Sequence, residues 1–175
     1  MLRYTLGLSV ITTNSQRKNE AEKSAVFTAL FLLGLCGLLF LPVRYSEVTV
    51  THMQCRISTA QFSLQWKHSV EKTRWIENYQ REQQHFILRY TDLISFGAGT
   101  PNDYPIIFQK DGMVRMKVNR RIDQINWIIS KNMQGSIIIH QSVWPIFQQY
   151  PDYTLVQITA QQQPLWKAWQ IGECR

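Results

Sequence analysis

Residues 25–43 (AVFTALFLLGLCGLLFLPV) contain no charged side chain. At 1.5 Å per residue such a run makes about 28 Å of helix, close to the ~30 Å hydrocarbon core of a bilayer. The chain therefore reads as a short tail (1–24), one transmembrane helix (25–43) and a single further domain (44–175). About 130 of the 175 residues remain outside the span, enough for one hydrophobic core. No second apolar run of that length follows, which excludes a polytopic transporter acting alone. The whole chain is 45% hydrophobic and 18% charged, and the part outside the span is not a disordered tail either.

Charge sets the expected orientation. Arg3, Arg17, Lys18 and Lys23 precede the run, whereas only Arg44 and Arg56 follow it closely, so the positive-inside rule places the basic tail in the cytoplasm. The expectation is a single-pass protein of a bacterial inner membrane with a periplasmic C-terminal domain. Cleavage is not expected, because Phe40-Leu41-Pro42-Val43-Arg44-Tyr45 offers no small-x-small pattern. Leu35 stands where a lipobox needs Gly or Ala, so Cys36 reads as a lipid-facing or helix-packing residue. The overall charge of +7 is spread along the chain, with Arg120-Arg121 the one basic doublet beyond the tail. That distribution suits a solvated surface near anionic headgroups and argues against nucleic acid as a partner.

Outside the membrane, Cys55 and Cys174 are the only cysteines left to pair, and in an oxidising compartment they are expected to bridge. The opposite topology would leave two free thiols.

From Glu47 onward the hydrophobic period is two, broken by turn signals every eight to twelve residues. Strands are expected at 48–53, 62–70, 75–82, 86–96, 106–109, 113–118, 125–130, 136–140 and 155–160. The fold class is all-β, an antiparallel sandwich or a small barrel. Asp111-Gly112 marks a tight hairpin. Trp144-Pro145 and Tyr150-Pro151-Asp152 mark a loop or short helical turn, and residues 121–124 could form a helical cap.

One stretch suggests a site. Phe62, Leu64, Trp66, His68 and Val70 share one strand face, as do Trp75, Glu77, Tyr79 and Arg81 on the next. With a loop over 71–74, face matching sets His68 opposite Glu77; a third strand then sets Leu88 opposite Tyr79, Tyr90 opposite Glu77 and Asp92 opposite Trp75. His68, Glu77, Tyr90 and Asp92 would interrupt an aromatic face, either as a satisfied polar network or as a pocket at the sheet rim. The following Gly97-Ala98-Gly99 segment is either a plain turn or a loop offering amide N–H groups to an anion.

Residues 62–79 (FSLQWKHSVEKTRWIENY), with Ser95-Phe96-Gly97-Ala98-Gly99-Thr100-Pro101 after them, resemble a domain-of-unknown-function family. It comprises small exported β proteins found beside, or fused to, the membrane subunits of TAXI-type TRAP transporters. The recurring pattern falls here on His68, Ser69, Val70, Glu71, Trp75, Glu77 and residues 97–99. The resemblance implies association with TRAP transport of small organic anions and brings no mechanism with it.

The leading expectation is accordingly a non-catalytic, membrane-anchored accessory protein. Its partner would be the solute-binding protein or the external face of the transporter, with a small carboxylate as a candidate ligand beside Lys67, Lys72 and Arg74. An envelope sensor or scaffold is the alternative. A hydrolase is the weaker third, since adjacent Ser69 and His68 on a strand point to opposite faces and cannot pair as nucleophile and base. No HExxH, His-x-His or Cys-x-x-Cys spacing occurs, so neither metal nor cofactor is expected.

Overall fold

In the computed structural model, residues 6–94 and 103–174 are described, with side chains of the first helix from residue 18 onward. The chain divides into two compact units, 1–41 with 164–166 and 42–163 with 167–175. The first is dominated by α1 (Leu6–Leu39), within which Lys18–Leu39 is long and apolar enough to cross a membrane. An 18-residue window within it has a mean hydropathy of 1.6 and is 0% buried within the chain. Turn bonds from Phe40 N–H to the Gly37 carbonyl (3.1 Å) and from Leu41 N–H to that of Leu38 (3.2 Å) close the helix. Pro42 enforces the stop, because a proline disfavours helical backbone at the residue before it.

The second unit is a β domain of two antiparallel sheets. Its strands are β1 (Pro42–Val50), β2 (Met53–Ile57), β3 (Gln61–Lys67), β4 (Arg74–Glu82), β5 (His85–Leu93), β6 (Ile106–Lys110), β7 (Met113–Ile122), β8 (Gln124–Ile128), β9 (Ser136–Ile139), β10 (Ser142–Trp144) and β11 (Leu155–Pro164). A four-stranded sheet runs β2-β1-β11-β8 and a seven-stranded sheet β10-β9-β3-β4-β5-β7-β6. Where a loop or a short helical turn is expected, a 3-residue helical turn lies at Ile146–Gln148, between the two proline signals.

Alternation along the strands builds the core. Val48, Val50, Ile57, Ile125, Val156 and Ile158 from the smaller sheet meet Phe62, Leu64, Tyr79, Phe86, Leu88 and Ile137 from the larger, all buried. Phe62 stacks on Tyr79 and meets Phe86 edge-on, both at 5.5 Å between ring centroids. A satellite cluster of Trp75, Leu93, Val114 and Met116 continues the same face of the larger sheet. The fold is thus a sandwich. Between the sheets, buried Arg81 of β4 donates to Ser46 Oγ (3.1 Å) and to the carbonyls of Ile57 and Ser58 (3.0 Å each). These three acceptors on its two Nη groups offset the cost of placing a cation there.

Cys55 and Cys174 form a disulfide with Cα atoms 4.9 Å apart, across 119 residues of sequence. Around it the segment near Glu173 runs parallel to β2. Arg56 N–H donates to the Gly172 carbonyl (2.8 Å), Cys174 N–H to the Arg56 carbonyl (2.9 Å), and Arg56 Nε to Glu173 (2.9 Å). This covers the outer edge of β2, which would otherwise be an open template for strand pairing.

Several expectations are corrected. Residues 48–53 are not one strand: the chain reverses at Thr51 (φ 52°), so β1 and β2 form a hairpin. Residues 121–124 form no helical cap, because β7 runs to Ile122 and β8 starts at Gln124. The β9–β10 hairpin, turning at His140 (φ 55°), was not signalled by glycine or asparagine. Asp111-Gly112 is the expected tight turn, with φ of 51° and 76°. Gly135 is required for a different reason: an added Cβ would sit 2.6 Å from the Trp127 indole, a ring that cannot bend away.

Candidate functional site

The register of β3 and β4 decides where the expected site residues go. Trp66 lies opposite Trp75, Leu64 opposite Glu77 and Phe62 opposite Tyr79, so each partner is displaced four residues from the face-matched pairing. The faces are as expected, since an even slip preserves them. His68 therefore does not pair with Glu77. It opens the loop of residues 68–73 instead, where its own N–H donates to the Thr73 carbonyl (2.8 Å) and its Nδ1 accepts from Glu71 N–H (3.2 Å). Its ring stacks on Trp75 at 5.6 Å, and Trp75 stacks in turn on Trp66 at 5.8 Å. Ser69 and Glu71 are exposed in this loop. Within the ladder, Trp75 Nε1 is buried without a hydrogen-bond acceptor among the described residues.

Glu77 stays on the core face and accepts a short hydrogen bond from the Tyr79 hydroxyl. Burial holds its carboxyl above the usual carboxylate range, and the Tyr79 bond opposes this in part. The Tyr79 hydroxyl is pushed up as well, first by burial and then by the charge of Glu77.

Tyr90 and Asp92 are on the other face. Leu88 pairs with Tyr79 as expected, but Tyr90 pairs with Asn78, so Arg89 is an extra residue bulged out of β5. One inserted residue inverts every side chain beyond it. Across β7 the same level carries Val118 and Asn119 against Arg89 alone, and Asn119 is left-handed (φ 50°). Two irregularities at one level thus turn Tyr90, Asp92, Arg115 and Lys117 outward together. Gly97 and Gly99 lie outside the described residues.

The result is a cleft of about 740 Å³ on the outer face of the seven-stranded sheet, with Ser63, Asn78, Arg89, Tyr90, Arg115 and Lys117 among its lining. A chain of hydrogen bonds crosses it. Ser63 donates to Asn78 Oδ1 (2.9 Å), Asn78 Nδ2 donates to Asp92 Oδ2 (3.1 Å), and Arg115 grips both oxygens of Asp92 at 2.6 and 2.8 Å. The Arg115 guanidinium also sits 5.4 Å above the Tyr90 ring. Asp92 is 5% exposed and Arg115 37%, so the buried carboxylate fixes a cation that remains open to solvent. Those hydrogen bonds hold the Arg115 guanidinium above its ordinary value, against the pull of burial.

Sequence reading singled out Tyr90 and Asp92 here and missed Ser63, Asn78, Arg89, Arg115 and Lys117. A signal for two of them was present: in Met113–Val118 the basic residues 115 and 117 alternate with apolar ones, the pattern of a strand with one wet face.

Residues 62–146 match the model of a domain of unknown function, DUF1850. No curated protein and no solved structure matches the chain. The matched segment takes in nearly the whole seven-stranded sheet and β8, and leaves out β1, β2 and β11.

Proposed function

We propose that this protein is a membrane-anchored, non-catalytic accessory subunit of a TRAP-type (TAXI) organic-anion uptake system, with its β domain in the periplasm of a bacterium and its N-terminus in the cytoplasm. What carries the anchored, exported part of the reading is one combination: an apolar helix of bilayer length ahead of a domain with a long-range disulfide. The transport part rests on the resemblance of His68–Glu71, Trp75, Glu77 and residues 95–101 to a transporter-associated pattern. The surfaces offered to a solute-binding protein or to the external face of the transporter are the His68–Trp75 loop and the outer-face cleft. Anchoring raises the local concentration of the domain at the membrane, so weak individual contacts suffice.

The test is co-purification of the native protein in mild detergent. Recovery together with TRAP membrane subunits or their solute-binding protein is the expected outcome. Recovery without them would overturn the reading in favour of an envelope sensor or scaffold.

A further inference from the structure

The outer-face cleft has a charge balance that selects among ligands. Arg89, Arg115 and Lys117 line it, and among the described residues no acidic one does. Two carboxylates nevertheless answer two of these cations. Arg89 donates to Glu82 and to Gln80 (3.1 Å), and Arg115 is held by Asp92. The Lys117 backbone N–H donates to the Pro105 carbonyl (2.9 Å), but its ammonium group has no hydrogen-bond or ion-pair partner among the described residues, so the cleft carries one uncompensated positive charge.

Its placement adds geometry. Lys117 is exposed and lies two residues from Arg115 on the same face of β7, about 7 Å along the strand. Arg115 spends Nε and one Nη on Asp92 and keeps further N–H donors, because a guanidinium has five. With that guanidinium already clamped by Asp92 and seated on Tyr90, little ordering entropy remains to be lost when an anion arrives. The Tyr90 ring and Ile138 supply apolar wall, and the volume lies within the range of small-molecule sites.

We infer that this cleft binds a small organic monocarboxylate, whose carboxylate bridges Lys117 and the free edge of Arg115 while its apolar body lies along Tyr90. A single unpaired cation matches a monoanion, and a doubly charged phosphate would be left under-compensated. This assignment stands on the cleft alone and does not require a transport role.

The experiment is saturation-transfer NMR on the full chain in nonionic detergent, with benzoate as probe, benzamide as its neutral counterpart and inorganic phosphate as competitor. Benzoate is expected to bind at least tenfold more tightly than benzamide. Lys117→Gln should weaken benzoate at least tenfold, while Lys117→Arg and the control Lys110→Gln, on exposed β6, should keep it. Equal signals from benzoate and benzamide, an unaffected Lys117→Gln variant, or displacement of benzoate by an equal concentration of phosphate would each overturn the inference. None of these outcomes depends on which proteins co-purify, so this proposal and the transport reading fail separately.

Discussion

The seven-stranded sheet is assembled largely from neighbours in sequence: β3, β4 and β5 follow one another as hairpins, and β6 and β7 close on the Asp111-Gly112 turn. The four-stranded sheet instead gathers β1 and β2 from early in the chain with β8 and β11 from late, and a covalent bond spanning 119 residues helps to hold it. The first carries the bulges, the cleft and nearly all of the family match. The second supplies a regular apolar face and the cross-link. Local pairing has low loop-closure cost, so the larger sheet can accommodate irregularities, whereas distant pairing must recover a larger entropy from regular packing and from the disulfide.

The largest expected effect breaks the smaller sheet. Replacing both Cys55 and Cys174 by Ser should destabilise the domain by about 4 to 5 kcal/mol as an upper figure in the chain-entropy model. Amide exchange should then show β1, β2, β8 and β11 losing protection before β3–β5. Equal loss across both sheets would mean that they do not differ in the way described.

Next comes the tie between them. Arg81→Met removes the donors to Ser46, Ile57 and Ser58, at a cost of about 2 to 4 kcal/mol, since hydrogen bonds from a charged group are worth about 1.5 to 3 kcal/mol each and are not additive. A urea midpoint unchanged by the substitution would show that the sheets are held by apolar packing alone.

The smallest effect isolates one half-buried acid on the core face of the larger sheet. Because burial raises the Glu77 carboxyl in the folded state, the native chain binds this proton more tightly than the unfolded one. Stability from this group is therefore complete below the unfolded carboxylate range and declines as pH rises toward its folded value, each tenfold change in proton affinity being worth about 1.4 kcal/mol. Glu77→Gln, which still accepts from Tyr79, should flatten that decline and leave the protein at least as stable at neutral pH. A steeper decline in the variant, read from thermal melts across the acid range, would contradict the assignment.

Much of the architecture is legible in the sequence, for identifiable reasons. Period-two alternation marks most strands because each sheet buries one face, and Asp111-Gly112 announces its turn because both residues tolerate positive φ. The reversal at Thr51 is silent, because threonine carries no such signal. Face matching could not fix the β3–β4 register, since slips by an even number leave every face unchanged; the backbone and ring bonds of His68 in the 68–73 loop accompany the observed one. The cleft was illegible for a related reason. Nothing local marks Arg89 as an inserted residue, yet that single insertion sends Tyr90 and Asp92 to the side opposite Glu77.

The bond between Cys55 and Cys174 also imposes a schedule. During synthesis residue 55 emerges long before residue 174, and β1 and β2 must wait for β11 before their sheet can close. In that interval an unpaired Cys55 thiol and an uncovered strand edge stand beside hairpins of the larger sheet that are already able to pair. The closed bond thus works as a receipt: it forms only once the chain has reached residue 174, after the last strand of the smaller sheet.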